Sequence, residues 1–328
     1  MSTEAQSAHW IGFDLGGTKM LATVYDCNFK PCGRKRKRTK GAEGAESVTS
    51  RMVRTLQGAI KEAEIDAKDI GGIGVGIPGP VDQEAGIVLE AVNLNWQKVP
   101  LGEILTKEFG RPVVLLNDVD AGVYGEYRFG AGRSARTALG IFPGTGIGGG
   151  CVYDGQIVRG KHHSCMEIGH IHVTTNGKLC GCGQRGCLET EASRLAISAE
   201  VSMAAYRGEA PTILQEAGTD LANIRSGVLA KAIAAGDKVV ENIVRRAASM
   251  LGTAVATSVH LFGPDRIVLG GGLVEAMPQL YVEAVSAAAK KSVMPSFVNT
   301  FKVVAAELGD DAAVLGAAAW AANSFGAS

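Results

Sequence analysis

The sequence predicts an α/β protein made of two successive halves, and three observations lead there. The chain has 328 residues, beyond the length at which a single core usually stops growing. Short apolar runs bounded by glycine alternate with stretches of helical periodicity, the pattern of interleaved strands and helices. A strand, a glycine-rich turn and a returning strand occur near residues 10–25 and again near 138–153. Two such halves facing each other would form a cleft, the usual place for a ligand.

Each element has its own local signal. Residues 10–15 (WIGFDL) read as a buried strand, Gly16-Gly17-Thr18 as its turn and 20–25 as the return. Val48, Met52, Val53, Leu56 and Ile60 recur at helical spacing. Residues 73–77 form another buried strand, ended by Pro78-Gly79-Pro80, and 101–109 a short helix stopped by Gly110 and Pro112. A strand over 113–116 then runs into Asn117-Asp118. The second half opens with a strand over 138–142 that meets Gly144-Thr145-Gly146-Ile147-Gly148-Gly149-Gly150. Residues 151–153 and 157–158 make a hairpin around Asp154-Gly155, and a cysteine-rich loop leads into helices, including a long one over 237–260. A strand over 266–269 closes on Gly270-Gly271-Gly272; a last strand spans 301–306 and a last, alanine-rich helix 311–322.

Hydrophobic content of 46% with 20% charged residues describes an ordinary globular protein. The 44 glycines are scattered among apolar runs, which suggests tight turns and close backbone approaches instead of disorder. Formal net charge is zero, so no global field draws the protein to nucleic acid or an anionic membrane. Arg34-Lys35-Arg36-Lys37-Arg38 is a local exception. It reads either as a solvated strand edge, where charge discourages stray pairing, or as a patch for nucleic acid or polyphosphate. Residues 1–9 lack a signal-peptide layout, and no apolar run reaches the ~20 residues of a spanning helix. A cytoplasmic protein is expected, and its seven cysteines then point to reduced thiols or metal ligands.

Asp14-Leu15-Gly16-Gly17-Thr18-Lys19 sets a carboxylate at a strand end, followed by glycines whose bare amides can approach phosphate. Gly144-Thr145-Gly146 repeats the glycine and threonine part in the second half. Neither loop follows the Walker pattern. Asp118 either caps the helix after it or serves as a general base toward an attacking hydroxyl. Asp14 suits Mg²⁺ held against phosphates. His170 with Cys180, Cys182 and Cys187 makes a three-Cys, one-His set suited to a closed tetrahedral Zn²⁺ site. A redox pair is the alternative, although the spacing is not C-x-x-C. Cys27, Cys32, Cys151 and Cys165 read as ordinary thiols, and His9, His162, His163, His172 and His260 lack a comparable setting. Glu167 and Glu189 flank the metal loop, and each carboxylate can accept from sugar hydroxyls.

These residues together resemble the ROK (repressor, open reading frame, kinase) family, in particular its bacterial glucokinase-like sugar kinases. The likeness runs from about residue 10 to 322 and rests on Asp14-Leu-Gly-Gly-Thr18, Gly76-Ile-Pro-Gly-Pro80, Asn93-Leu-Asn-Trp96, Asn117-Asp118, Gly144-Thr-Gly-Ile-Gly-Gly-Gly150, Glu167-Ile-Gly-His170 and Cys180-Gly-Cys-Gly-Gln-Arg-Gly-Cys-Leu-Glu189. The resemblance implies an actin-like ATPase fold of two ribonuclease-H-like domains closing around ATP and sugar. Domains of 1–117 plus 311–328 and of 118–310 would follow, with the final helix returning to the first. It also implies that Gly79, Asn93, Asn117, Asp118, Glu167, His170 and Glu189 line a sugar site, with Asp118 as base. Gly16, Gly17, Thr18, Lys19, Gly144, Thr145 and Gly146 would hold phosphates, and Gly271 and Gly272 would pack near the nucleoside. His170 would serve zinc through one ring nitrogen and the sugar through its other edge.

The chain departs from the family's usual residues at Ser164-Cys165-Met166, Val119-Asp120, Phe142-Pro143 and Thr190-Glu191. None of these removes a predicted catalytic group. The expected activity is in-line transfer of the ATP γ-phosphoryl to a hexose, at O6 of glucose in the first instance, with a homodimer as the assembly. Other acceptors are fructose, mannose, N-acetylglucosamine and N-acetylmannosamine, and polyphosphate is another donor. A sugar-sensing repressor is the rival from a different class. It would carry a helix-turn-helix domain ahead of the first loop, for which Asp14 comes too early.

Overall fold

The structure is a computed structural model that describes residues 9–161 and 165–326. His162, His163 and Ser164 therefore lie outside the described residues. The chain divides into two compact units. The first holds the described residues up to Arg133, then Ile157–Cys165 and the chain from Asp310 onward; the second holds Ser134–Gln156 and Met166–Gly309. The division falls later than the 117/118 boundary expected from the sequence, because the helix that starts at Asp118 packs wholly within the first unit.

In the first unit the chain runs β1 (His9–Leu15), β2 (Lys19–Tyr25), β3 (Pro31–Arg38), α1 (Ala45–Glu62), β4 (Ile70–Ile77), β5 (Val81–Asp82), β6 (Ile87–Ala91), β7 (Trp96–Val99), α2 (Leu101–Phe109), β8 (Val113–Asn117) and α3 (Asp118–Phe129). The main sheet has the order β3-β2-β1-β4-β8. β1 is antiparallel to β2 and parallel to β4, and β4 is parallel to β8. β5, β6 and β7 form a small antiparallel sheet of their own.

Strand alternation sorts the faces. Ile11, Phe13 and Leu15 pair across to Val24, Ala22 and Met20, and all six are fully buried in one cluster with Val48, Met52 and Leu56 of α1. Gly12 and Asp14 consequently point to the other face. The basic run falls on β3, the edge of the sheet, with its side chains largely exposed. Arg34 pairs with Asp311 at 2.5 Å and Arg36 with Asp310 at 3.3 Å.

The second unit runs β9 (Thr137–Pro143), β10 (Ile147–Tyr153), β11 (Gln156–Ile157), α4 (Glu189–Ala192), α5 (Arg194–Tyr206), α6 (Pro211–Ala217), α7 (Ser226–Ala234), α8 (Lys238–Phe262), β12 (Arg266–Leu269), α9 (Gly271–Ala276), α10 (Pro278–Ser292) and β13 (Lys302–Ala305). Its sheet has the order β11-β10-β9-β12-β13. β9 is antiparallel to β10 and parallel to β12, which is parallel to β13. This repeats the main sheet of the first unit strand for strand. α8 is the long helix foreseen over 237–260; Asp237 caps it by accepting from the Val240 N–H at 3.2 Å, and it closes on Gly263 in the left-handed region.

The chain ends in α11 (Ala312–Phe325), which packs on β1, β4 and α3 of the first unit. Small residues allow it to come that close. A Cβ on Gly12 or Gly74 would strike the carbonyl oxygens of Val314 and Ala317, and one on Gly316 that of Ala121. Farther along, Trp320 meets the Tyr124 ring edge-on at 4.9 Å between centroids, and the Arg159 guanidinium lies 5.6 Å from the Trp320 ring centre.

Candidate active site

In the first unit the candidate residues gather at the carboxyl ends of the parallel strands, where open α/β sheets bind ligands. Asp14 of β1 is level with Gly76 of β4, and Ile77 of β4 with Asn117 of β8, so Asp14 and Asp118 flank the end of β4. Gly76 leaves that space open, since a Cβ there would come to 3.6 Å from Asp118 Cα. The β1–β2 turn is tightly closed. The Gly16 N–H donates to Lys19 O at 3.0 Å, and the Thr39 hydroxyl donates to Gly16 O at 2.6 Å. Gly17, Thr18 and Lys19 stay exposed.

Two further predicted residues join the same cluster. A Cβ on Gly17 would sit 3.8 Å from that of Asn93, which brings Asn93 beside the loop. Gly79 has φ +92°, and its carbonyl accepts from Asn117 Nδ2 at 3.2 Å. The helix cap differs from one sequence reading. Asn117, not Asp118, is the N-cap of α3, its Oδ1 accepting from the Val119 and Asp120 N–H groups. Asp118 is the first helical residue, with one carboxylate oxygen on the Val119 N–H at 2.9 Å.

The two carboxyls are electrostatically strained. Burial, and then the charge of Asp118, push Asp14 up to about 7, against the pull of Lys19. Asp118 is also raised, by burial above all, although its hydrogen bond to Val119 opposes this. Such a pair gains from a nearby cation, which would favour both ionised forms. Asp310, which no sequence signal marked, accepts from Lys19 Nζ at 2.7 Å and brings a third carboxylate to the loop.

In the second unit the glycine-rich turn between β9 and β10 is held by the segment that follows the cysteine loop. The Ile147 N–H donates to Glu189 Oε2 at 2.9 Å, and the Arg194 N–H to Gly144 O at 2.8 Å. Gly271 begins α9 with φ +78°, and its Cβ position lies 2.9 Å from Pro143 O, beside the same turn. Gly272 faces Ser226. Glu167 caps the short 3-10 turn Ile168–His170, which lies on β10 because Gly149 and Gly169 carry no side chain.

His170, Cys180, Cys182 and Cys187 bring four ligand atoms within 4.8 Å of one another. His170 Nδ1 is 3.6 Å from Cys180 Sγ, and Cys182 Sγ is 3.7 Å from Cys187 Sγ. A tetrahedral ion with metal–sulfur bonds of about 2.3 Å sets its ligands roughly 3.7 Å apart, so the spacing fits. Burial, with the neighbouring thiols, pushes Cys187 up to about 12, whereas a backbone hydrogen bond from Gln184 lowers Cys182. Cys180 Sγ also lies 3.8 Å from Glu189 Oε1, so Glu189 touches both the thiol cluster and the glycine turn. All seven cysteines are free thiols.

Two repeated five-strand units on one chain, each with a glycine turn after its first strand, define a ribonuclease-H-like, actin-like ATPase fold. The ROK family model matches residues 10–324, and the protein belongs to the ROK family. A glucokinase of Thermotoga maritima is 36% identical over 311 residues, which cover 94% of this chain and 95% of that protein. A putative xylose repressor of Caldicellulosiruptor is 30% identical over 309 residues, covering 94% of this chain and 77% of that one. Among solved structures, the ROK glucokinase of Streptomyces griseus in complex with glucose and AMPPNP superimposes with a TM-score of 0.82 at 31% identity, covering 96% of this chain and 100% of that one.

Proposed function

We propose that the protein is an ATP-dependent hexose kinase that phosphorylates the 6-hydroxyl of its sugar, glucose before other hexoses. The observation that carries the reading is the pair Asp14 and Asp118 on either side of the end of β4, beside the turn whose Gly17, Thr18 and Lys19 are exposed. The likeness to the Thermotoga and Streptomyces glucokinases supports the choice of sugar and donor.

In this reading Asp118 accepts the proton of the attacking hydroxyl while Asn117, fixed to Gly79 and to the start of α3, orients the sugar with Asn93. Glu167, His170 and Glu189 are its further sugar ligands. The amides of Gly16, Gly17 and Thr18 receive phosphate oxygens, as do those of Gly144, Thr145 and Gly146, and Lys19 adds charge. Gly271 and Gly272 pack near the nucleoside. Asp14 holds Mg²⁺, whose chemistry is to neutralise charge on the triphosphate. Its carboxyl, raised to about 7 by burial and by Asp118, gains from a divalent cation. His170, Cys180, Cys182 and Cys187 hold a structural Zn²⁺, which suits their three thiols and one imidazole. A homodimer in the cytoplasm completes the reading.

The xylose-repressor likeness supports a sensor as the second reading, and turnover of ATP with any hexose would decide against it. Polyphosphate as donor draws on the basic β3 edge, where Arg34 and Arg36 are already taken up by Asp311 and Asp310. A coupled assay with glucose, fructose, mannose, N-acetylglucosamine and N-acetylmannosamine, each against ATP and polyphosphate, tests the reading. Fastest turnover with glucose and ATP is expected. Preference for another sugar or for polyphosphate would replace that part of it.

A further inference from the structure

Arg194, the first residue of α5, grips the glycine turn of the second unit at two points. Its backbone N–H donates to Gly144 O at 2.8 Å, and its Nη2 donates to Thr145 Oγ1 at 3.0 Å. The side chain is half-buried, and among the described residues no carboxylate pairs with it. A guanidinium has five N–H donors and no acceptor, so most of its donors remain unused.

The hydrogen bond to Thr145 also fixes what that hydroxyl can do. Arg194 can only donate, so Thr145 Oγ1 accepts from it and keeps its own proton for another partner. Thr145 is exposed, and a Cβ on Gly144 would meet nothing within 4 Å. Farther along the same turn the Ile147 N–H is already satisfied by Glu189. The open side of the turn therefore presents a committed hydroxyl donor and a guanidinium without a counter-ion. A group rich in oxygen acceptors and negative charge is what complements them.

We propose that Arg194 is a phosphate-binding and positioning residue, which aims the Thr145 hydroxyl at the donor's phosphate tail and adds a direct charge-assisted hydrogen bond to it. The inference rests on the phosphotransfer reading above and assigns a specific residue to the donor half of the reaction. It predicts that Arg194 governs the donor and not the sugar.

The test uses Arg194→Gln and Arg194→Lys in the full chain. Steady-state KM is measured for ATP and for the best hexose, and binding of inorganic tripolyphosphate, a probe with phosphates but no nucleoside, by calorimetry. Arg194→Gln is expected to weaken ATP and tripolyphosphate by roughly 10-fold or more, the usual weight of a hydrogen bond to a charged group. Hexose KM should stay within about twofold, and Arg194→Lys, which keeps charge and backbone, should recover part of the loss. Unchanged tripolyphosphate binding in Arg194→Gln, or an equal loss for hexose, would overturn the assignment. If the glutamine variant does not fold, the lysine variant decides: it must retain tripolyphosphate binding better than Thr145→Val does. Wild-type protein that binds tripolyphosphate but consumes no ATP with any hexose would instead count against the kinase reading and leave the binding comparison readable.

Discussion

Asp14 and Asp118 are two buried carboxyls, both raised above the usual carboxylate range, with different consequences. Asp118→Asn keeps the size and the start of α3 but cannot accept a proton, so kcat should fall by about 10²–10⁴ while hexose affinity holds. Equilibrium sugar binding beside steady-state kinetics checks this, and a variant with near-normal kcat would remove Asp118 from the base role. Asp14 makes a pH prediction. Its carboxyl is raised to about 7, so the folded state binds a proton more tightly than the unfolded chain does. The stability contributed by the protonated form is fully present near pH 4 and is lost as pH rises through about 7. Without divalent cation, Asp14→Asn should therefore melt a few degrees higher than wild type at pH 8 and show little gain at pH 5. Magnesium should shrink the difference by stabilising only the wild type. Melting curves at the two pH values, with and without magnesium, would contradict this if the variant were equally stable throughout.

The segment from Cys180 to Arg194 ties the thiol cluster to the glycine turn through Glu189, which lies 3.8 Å from Cys180 Sγ and accepts the Ile147 N–H at 2.9 Å. With zinc held there as proposed, a chelator, like Cys182→Ser, should lower the melting temperature and weaken ATP as well as sugar, because both ends of that link loosen. Unchanged melting and unchanged KM for both substrates would break the connection. Sequence reasoning found this cluster because cysteine and histidine are rare and chemically distinct. The link itself was not legible: nothing in Gly146-Ile147 shows that its amide takes a carboxylate from 42 positions later. Arg194 was missed likewise, since one arginine at a helix start has no pattern. Long elements with strong periodicity, α1 and α8, were readable, whereas the strands β5 and β6 were too short and too partly buried to stand out. The cap of α3 shows a smaller limit: of the two readings open for Asp118, the capping one belongs to Asn117, and since both are good capping residues only the backbone decides between them.

At the scale of the whole chain, the repeated sheet was visible as two strand–glycine turn–strand openings, and the resemblance placed the last helix with the first unit, while the boundary after α3 was not legible. α3 stays with the first unit because α11 comes back to it, and that contact depends on glycines whose role is set by a partner some 200 residues away. Gly74→Val should lower stability by about 1–3 kcal/mol or prevent folding, because its Cβ would strike the Ala317 carbonyl; chemical denaturation would show it, and a neutral effect would mean that α11 has freedom to shift. The claim on which the rest depends is that phosphoryl leaves ATP for a sugar hydroxyl under the control of Asp118. Phosphorus NMR of wild type and Asp118→Asn with MgATP and glucose follows that transfer directly. Glucose 6-phosphate and ADP should appear together and in equal amounts with wild type, and neither above background with the variant. ADP accompanied only by inorganic phosphate, or sugar phosphate formed as fast by the variant, would contradict the account.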